Sequence, residues 1–364
     1  MSKHQIPHYA KSTEPFTVHV GGIEPAFEKQ IGYLTPAESF FVCSEGATPR
    51  VSQADYQLCI DGDGVSTPIT LTYQDLVAMA QREVPALLEC AGNHRRLFET
   101  VLGQPLDKRP EIVELLWNLG AVGMARWEGV PLRDLLVLAG IKPEAYHVCP
   151  VAIDQHEDGA NVSCPLPVSK ALDEDTLIAL RMNGQPLPPD HGFPARVVVP
   201  GWVGTYSIKW LTRIIVSTTP IWVQRNTTRY ILRGEHWDAE AYVPAEGPPV
   251  TESCVRSSLA LSWPAQLDAG IRTVHGFARS PDSPIARVEW SADEGTNWQD
   301  AHLVGPNEKY GWAMFTFDWK ATKGQHTLMT RATDQVGRTQ PETVPFNDCG
   351  YLFNMVHPHP IEVI

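Results

Sequence analysis

Residues 87–96 read LLECAGNHRR. An apolar run ending at Glu89-Cys90 has the pattern of a strand, and Ala91-Gly92-Asn93 that of a small-residue turn. His94, Arg95 and Arg96 then stand together as potential cations. Cations this close favour a thiolate, the form that attacks carbonyls or binds metals. The same residue types also suit a structural cysteine at a strand end beside surface arginines, and taken alone they favour that reading. A Cys–His nucleophile needs a base oriented by a third group, and no protease-type pattern surrounds Cys90.

Outward from this stretch, residues 190–201 (DHGFPARVVVPG) and 204–211 (GTYSIKWL) set His191, Arg196 and Lys209 on Gly- and Pro-rich loops beside an apolar strand. Such loops suit a phosphate-bearing group, and equally a solvated lysine and a loop histidine. Residues 131–138 (PLRDLLVL) begin with proline and put leucines on one face, which predicts a short helix. The β-branched runs at 196–200 and 210–216 predict strands. Without a regular βαβ period, the first part of the chain is expected to be an irregular α+β domain, residues 1–245.

Prolines 244, 248, 249 and 264 mark a linker or wrapping segment. Beyond it, Val288, Trp290 and Ala292 alternate with Arg287, Glu289 and Ser291, followed by a turn at Asp293-Glu294-Gly295. The same alternation returns at 312–319 and 326–333. Residues 246–364 are therefore expected to form an immunoglobulin-like β-sandwich.

Composition narrows the function. The 364 residues are 43% hydrophobic and 20% charged, enough for two packed domains. A net charge of −13 argues against nucleic acid and anionic membrane as partners, and an anionic substrate would need a local positive pocket. The seven cysteines show no CxxC spacing. No apolar run is long enough to span a membrane. The N-terminus shows neither an apolar leader nor a twin arginine, so the expected location is the cytoplasm. Asp61-Gly62-Asp63-Gly64 reads as a turn, and His357 and His359 as a surface extension. No GKS/T loop, HExxH helix or GxSxG elbow is present.

Taken in order, these segments resemble the sulfite oxidase family of molybdenum–pterin oxidoreductases, in a haem-free bacterial-type form. Cys90-Ala91-Gly92-Asn93 with the following basic residues is similar to the family's CAGNRR element. Residues 117–136 (WNLGAVGMARWEGVPLRDLL) resemble its W-x-x-GAI-x-x-ARW stretch, and 191–196 (HGFPAR) and 209–211 (KWL) its HGFPVR and KWL segments. The resemblance runs from about Tyr33 to about Thr343 and implies a sandwich that serves as a dimerisation domain. It implies Cys90 as the sulfur ligand of a molybdenum held by molybdopterin, without haem. His191, Arg196, Ser207 and Lys209 are implied as pterin contacts, together with Ser163 and Asp154. Arg95 and Trp117 are implied as pocket residues, with His94 and Arg96 beside them. Oxidation of sulfite to sulfate by oxo transfer, with electrons passing to an external acceptor from a homodimer, is the expected function. The alternatives are a reductive relative acting on nitrate or an S- or N-oxide, and a non-catalytic dimeric binding module.

Two departures from the family pattern bear on the substrate. Where the family has an R-N-H segment after a Phe-rich strand, this chain has Cys43-Ser44-Glu45. Where it has a pocket tyrosine in Q-x-x-D-Y-K, the ungapped position is Thr228, with Tyr230 two residues on. The pocket is thus expected to lose one cation and one hydroxyl donor, unless Arg225, Arg229 or Arg96 compensates.

Overall fold

A computed structural model describes residues 8–106, 115–156 and 158–364. The first part is mostly sheet. A five-stranded antiparallel sheet carries Arg82–Glu89 at its edge, paired along its whole length with Val122–Pro131, which in turn pairs with Leu177–Met182. Arg196–Val198 and Gln185–Pro186 complete it. A six-stranded sheet has Leu211–Ser217 between His147–Gln155, antiparallel, and Gln57–Asp61, parallel. A smaller three-stranded sheet joins Phe16–His19, Gly22–Pro25 and Val42–Cys43.

The expected helix forms at Leu132–Leu138. Pro131, which lacks an N–H to leave unpaired, precedes its first turn. Leu132, Leu135 and Leu136 are buried, while Val137 and Leu138 face solvent, as spacing along one helical face requires. These leucines join Leu58, Ile60, Ile178, Val197 and Ile214 in the main core. The predicted strands appear at Arg196–Val198 and Leu211–Ser217.

The second part is a sandwich. One sheet orders Arg256–Leu259, Gly270–Arg279, Trp312–Ala321 and His302–Val304; the other orders Ala265–Leu267, His359–Val363, Gly324–Asp334, Ile285–Ser291 and Gln299–Asp300. Phe315, Phe317, Trp319 and Ala321 alternate inward along Trp312–Ala321 and meet Val288, Trp290 and Leu328. One expectation fails here. Glu289 and Ser291, assigned by alternation to the solvent face, are both buried. Glu289 is compensated by Arg331 at 3.0 Å and Arg287 at 3.0 Å, and the Ser291 hydroxyl anchors the following turn through Asp293. His357 and His359 are likewise buried rather than a surface extension.

The segment between the two parts wraps rather than links. Val203 N–H donates to Thr251 O, and Val250 N–H to Tyr230 O. In the opposite direction, Cys349 and Tyr351 from near the end of the chain enter the main core of the first part.

The tightest joint lies directly beside Cys90. Glu89, the last residue of Arg82–Glu89, is 6% exposed and receives Arg256 Nη1 at 2.6 Å and Arg279 Nε at 2.8 Å from the sandwich. Burial alone would raise this carboxyl, but the two guanidinium charges hold it well below its ordinary range. Asn93 Nδ2 donates to the same carboxylate at 2.8 Å, so the turn after Cys90 is fixed to the joint. Removing one member leaves a buried charge short of a partner, at a cost of roughly 3–5 kcal/mol. Arg279→Met is therefore expected to lower the urea unfolding free energy by about that amount. Arg272→Met, which breaks a solvent-exposed pair with Asp268, should cost no more than about 1 kcal/mol.

Candidate functional site

Cys90, at the end of its strand, faces a cavity of about 680 Å³ that opens between the sheets of the first part. Its backbone N–H donates to Ala121 O at 3.0 Å. Ala121 N–H in turn donates to Asn93 Oδ1 at 3.2 Å, so the turn and the strand Val122–Pro131 hold each other. The thiol is shifted toward its anion. A hydrogen bond from Cys43 is the largest influence, opposed by burial and assisted by the Arg95 charge, the Gly92 N–H and the Trp117 indole. Cys43 is pushed the opposite way, since as the donor it keeps its proton.

Arg95 reaches this sulfur because glycines leave it room. A Cβ on Gly92 would lie 2.5 Å from its Nη2, and one on Gly350 would lie 2.6 Å from its Cγ. Its Nη1 donates to Leu115 O at 2.9 Å, and its guanidinium lies 5.1 Å over the Tyr351 ring. Tyr351 stacks on Tyr230 at 5.5 Å, and Arg225 lies 5.5 Å over Tyr230. A layered Arg–Tyr–Tyr–Arg wall results. Glu45 joins it by accepting Arg225 Nη2 at 2.9 Å and Arg229 Nη1 at 3.0 Å.

Basic groups gather at another part of the same cavity. Arg196 donates to His191 O at 2.9 Å and Ser207 O at 2.8 Å. Lys209 Nζ donates to Ser44 Oγ at 2.6 Å and Asp190 O at 3.0 Å. Lys11 Nζ lies 2.8 Å from His191 Nε2. Burial, and then the charge of Arg196, pushes Lys209 down to about 7, and burial alone pushes Arg196 down to about 9. His191 is driven well below its usual range by burial and by Lys11, Lys209 and Arg196, so its ring is neutral. Basic groups that depress one another call for an anion between them.

The structure brings together Cys90, Arg95, His191, Arg196, Ser207, Lys209 and Asp154 on one cavity wall. It separates four other predicted residues from that wall. His94 is fully buried and faces the sandwich, with Nε2 2.8 Å from Ser258 Oγ and Nδ1 3.2 Å from Arg256. Burial and the charges of Arg256 and Arg279 hold its ring neutral, so it adds no charge beside the thiol. Arg96 opens the helix Arg96–Thr100 and points away, donating to Asn118 Oδ1 at 3.2 Å. Ser163 pairs with Val151 in the six-stranded sheet, off the cavity. Trp117 stands behind Cys90, pressed against Gly22, where a Cβ would sit 2.2 Å from its ring. Thr228 also lies off the wall, and Tyr230 supplies the ring and hydroxyl expected at that place. Glu45, Arg225 and Tyr351 join the site from distant parts of the sequence, and Lys11 touches it through His191.

These features fit a phosphate-bearing pterin with its metal on Cys90. Asp154 Oδ1 is a buried polar atom without a hydrogen-bond partner. Gly192 is at φ +105°, and a Cβ there would lie 3.0 Å from Arg196 Cβ and 3.2 Å from Lys209 Cα, so a side chain would crowd the basic cluster.

Comparison with known proteins gives the same assignment. Residues 45–224 match the oxidoreductase molybdopterin binding domain, and residues 260–364 the Mo-co oxidoreductase dimerisation domain. Sulfite oxidase of Gallus gallus is 36% identical over 327 residues, covering 86% of this chain and 69% of that protein. The chain belongs to the sulfite oxidase family. Mitochondrial sulfite oxidase of Homo sapiens is 32% identical over 89% of this chain and 61% of its own length. Inducible nitrate reductase [NADH] 2 of Glycine max is 31% identical over 89% of this chain and 38% of its own. The enzyme thus spans between about 40% and 70% of the length of these relatives. The sulfane dehydrogenase SoxCD of Paracoccus pantotrophus shares the fold, with a TM-score of 0.81 at 24% identity over 94% of this chain and 86% of that one. No described helix is long and apolar enough to cross a membrane.

The depressed basic groups give a pH signature for the enzyme without its cofactor. Lys209 falls from 10.5 to about 7 and Lys11 from 10.5 to about 8 in the fold. Between the folded and unfolded values the unfolded chain binds more protons, so stability rises with pH across roughly 7–10.5. Thermal melts of the cofactor-free enzyme should therefore climb from pH 7 to 9, and less steeply in Lys209→Met. Equal slopes in the two proteins would contradict the charge assignment.

Proposed function

We propose that this enzyme oxidises sulfite to sulfate at a molybdenum bound by Cys90, passing two electrons to an external acceptor. The observation that carries the reading is the single cavity that joins the activated Cys90 sulfur, the Arg95 guanidinium and the His191–Arg196–Lys209 cluster. Cys90 would hold the metal through its thiolate, a soft donor suited to it. Arg196 and Lys209 would hold the pterin phosphate, with His191, Ser207 and the unpaired Asp154 oxygen meeting its polar edge. Bound there, the cofactor supplies two-electron oxo-transfer chemistry.

The chain's own residues supply binding and orientation. Arg95, fixed by Leu115 O and the Tyr351 ring, directs a guanidinium toward a substrate anion near Cys90. Tyr230 and Tyr351, stacked beside Arg95, add aromatic surface to the cavity that excludes water without adding charge. Cys43 beside it draws the Cys90 sulfur toward its anion, the form that would bind the metal. Balanced overall, sulfite and water give sulfate, two protons and two electrons. The proposal includes a catalytic unit at residues 1–245, and a cytoplasmic homodimer formed through residues 246–364.

Reduction of a monoanion such as nitrate is the competing reading, favoured by the pairing of Arg225 and Arg229 with Glu45. Steady-state assays of the molybdenum-loaded enzyme with a dye acceptor, and with a reduced dye, separate the two. Sulfite-dependent dye reduction is expected, and nitrate turnover without any sulfite turnover would overturn the proposal. Cys90→Ser should lose sulfite turnover by more than about a thousandfold while keeping its melting temperature, because a hard oxygen replaces a soft ligand.

A further inference from the structure

Glu45 is an internal anion in the substrate pocket. Its Oε1 accepts Arg225 Nη2 at 2.9 Å, and its Oε2 accepts Arg229 Nη1 at 3.0 Å. His156 Nδ1 lies 3.7 Å from the same carboxylate. All four residues line the cavity that holds Cys90. The side chains of Glu45 and Arg225 are 20% and 11% exposed, so water screens the pair only in part. Burial alone would raise the Glu45 carboxyl, but His156, Arg225 and Arg229 outweigh it and hold the group well below its ordinary range.

The geometry restricts what these guanidiniums can still do. Arg225 spends its other terminal nitrogen on Thr205, 3.0 Å to Oγ1 and 3.3 Å to the carbonyl, and its face on Tyr230. Arg229 gives Nη1 to both Glu45 oxygens. An anion arriving beside Cys90 therefore meets Arg95 together with two arginines, one of whose two charges Glu45 offsets. A second negative charge on the substrate gains less from them than it would without Glu45, which also repels it.

We propose that Glu45 is the specificity-determining residue of this pocket, discriminating against dianions in favour of singly charged oxyanions. The proposal rests on the reading of this cavity as an oxyanion site. Under the sulfite reading, the preferred form of the substrate is hydrogen sulfite. Arg225 and Arg229 are then the arms of a charge filter that Glu45 sets, rather than replacements for the cation absent at Cys43.

The test uses oxidised, molybdenum-loaded enzyme and two inert probes, sulfate as the dianion and nitrate as the monoanion. Isothermal titration should show Glu45→Gln binding sulfate at least about tenfold more tightly than the parent, the scale of one recovered charge-assisted hydrogen bond. Nitrate affinity should change by less than about threefold, since a single charge gains less from the released guanidiniums. Glu45→His, which also removes the negative charge, should move in the same direction and serves if the glutamine variant fails to load the cofactor. Unchanged sulfate affinity, or equal gains for both anions, overturns the proposal. Sulfite turnover measured on the same proteins reports separately: its absence in both removes the sulfite reading, while the sulfate-to-nitrate ratio still decides the role of Glu45.

Discussion

The ion cluster of Glu89 with Arg256 and Arg279 is the constraint on which the site depends. Glu89 adjoins Cys90 in sequence, and the arginines come from the first two strands of the sandwich's four-stranded sheet. Their attraction is strong only because all three groups are buried, and burial is tolerable only because they meet. The direction in which Cys90 leaves its strand is thereby set by the packing of the two parts of the chain. The same cluster captures His94 through Arg256, which is why a histidine four residues past the thiol plays no part beside it. A domain that could serve for association alone is, in this structure, part of what holds the catalytic turn.

Charge in the cavity follows a single logic. One group of basic side chains, Arg196 and Lys209, is depressed by burial, and Lys209 further by the charge of Arg196. Another, Arg225 and Arg229, already has its anion in Glu45. Arg95 is the cation whose charge acts on the Cys90 sulfur. In a protein of net charge −13 this arrangement concentrates positive potential where a phosphate and a small oxyanion are to lie. The first group calls for a permanent occupant and the second limits the charge of a transient one.

Local sequence carried the elements whose causes are local. Pro131 and the spacing of Leu132, Leu135 and Leu136 marked a helix, and the alternation at Phe315, Phe317 and Trp319 marked an inward strand face. The β-sandwich and the motifs holding His191, Arg196 and Lys209 were legible for the same reason. What escaped was set by partners far along the chain. His94 looked like a third cation until Ser258 and Arg256 claimed its ring. Glu289 looked solvent-facing until Arg331 compensated it. Lys11 and Tyr351, more than 75 residues from Cys90 on either side, carried no local signal at all. Tyr230, two residues past Thr228 and at φ +48°, lines the cavity while Thr228 does not.

Everything in this account turns on the Cys90 sulfur being a metal ligand, with Cys43 its hydrogen-bond donor and not a second ligand. X-ray absorption at the molybdenum edge, on loaded parent enzyme and on Cys90→Ser and Cys43→Ser variants, measures this directly. One fewer sulfur neighbour is expected in Cys90→Ser and an unchanged sulfur count in Cys43→Ser. The same sulfur count in the parent and Cys90→Ser would contradict it.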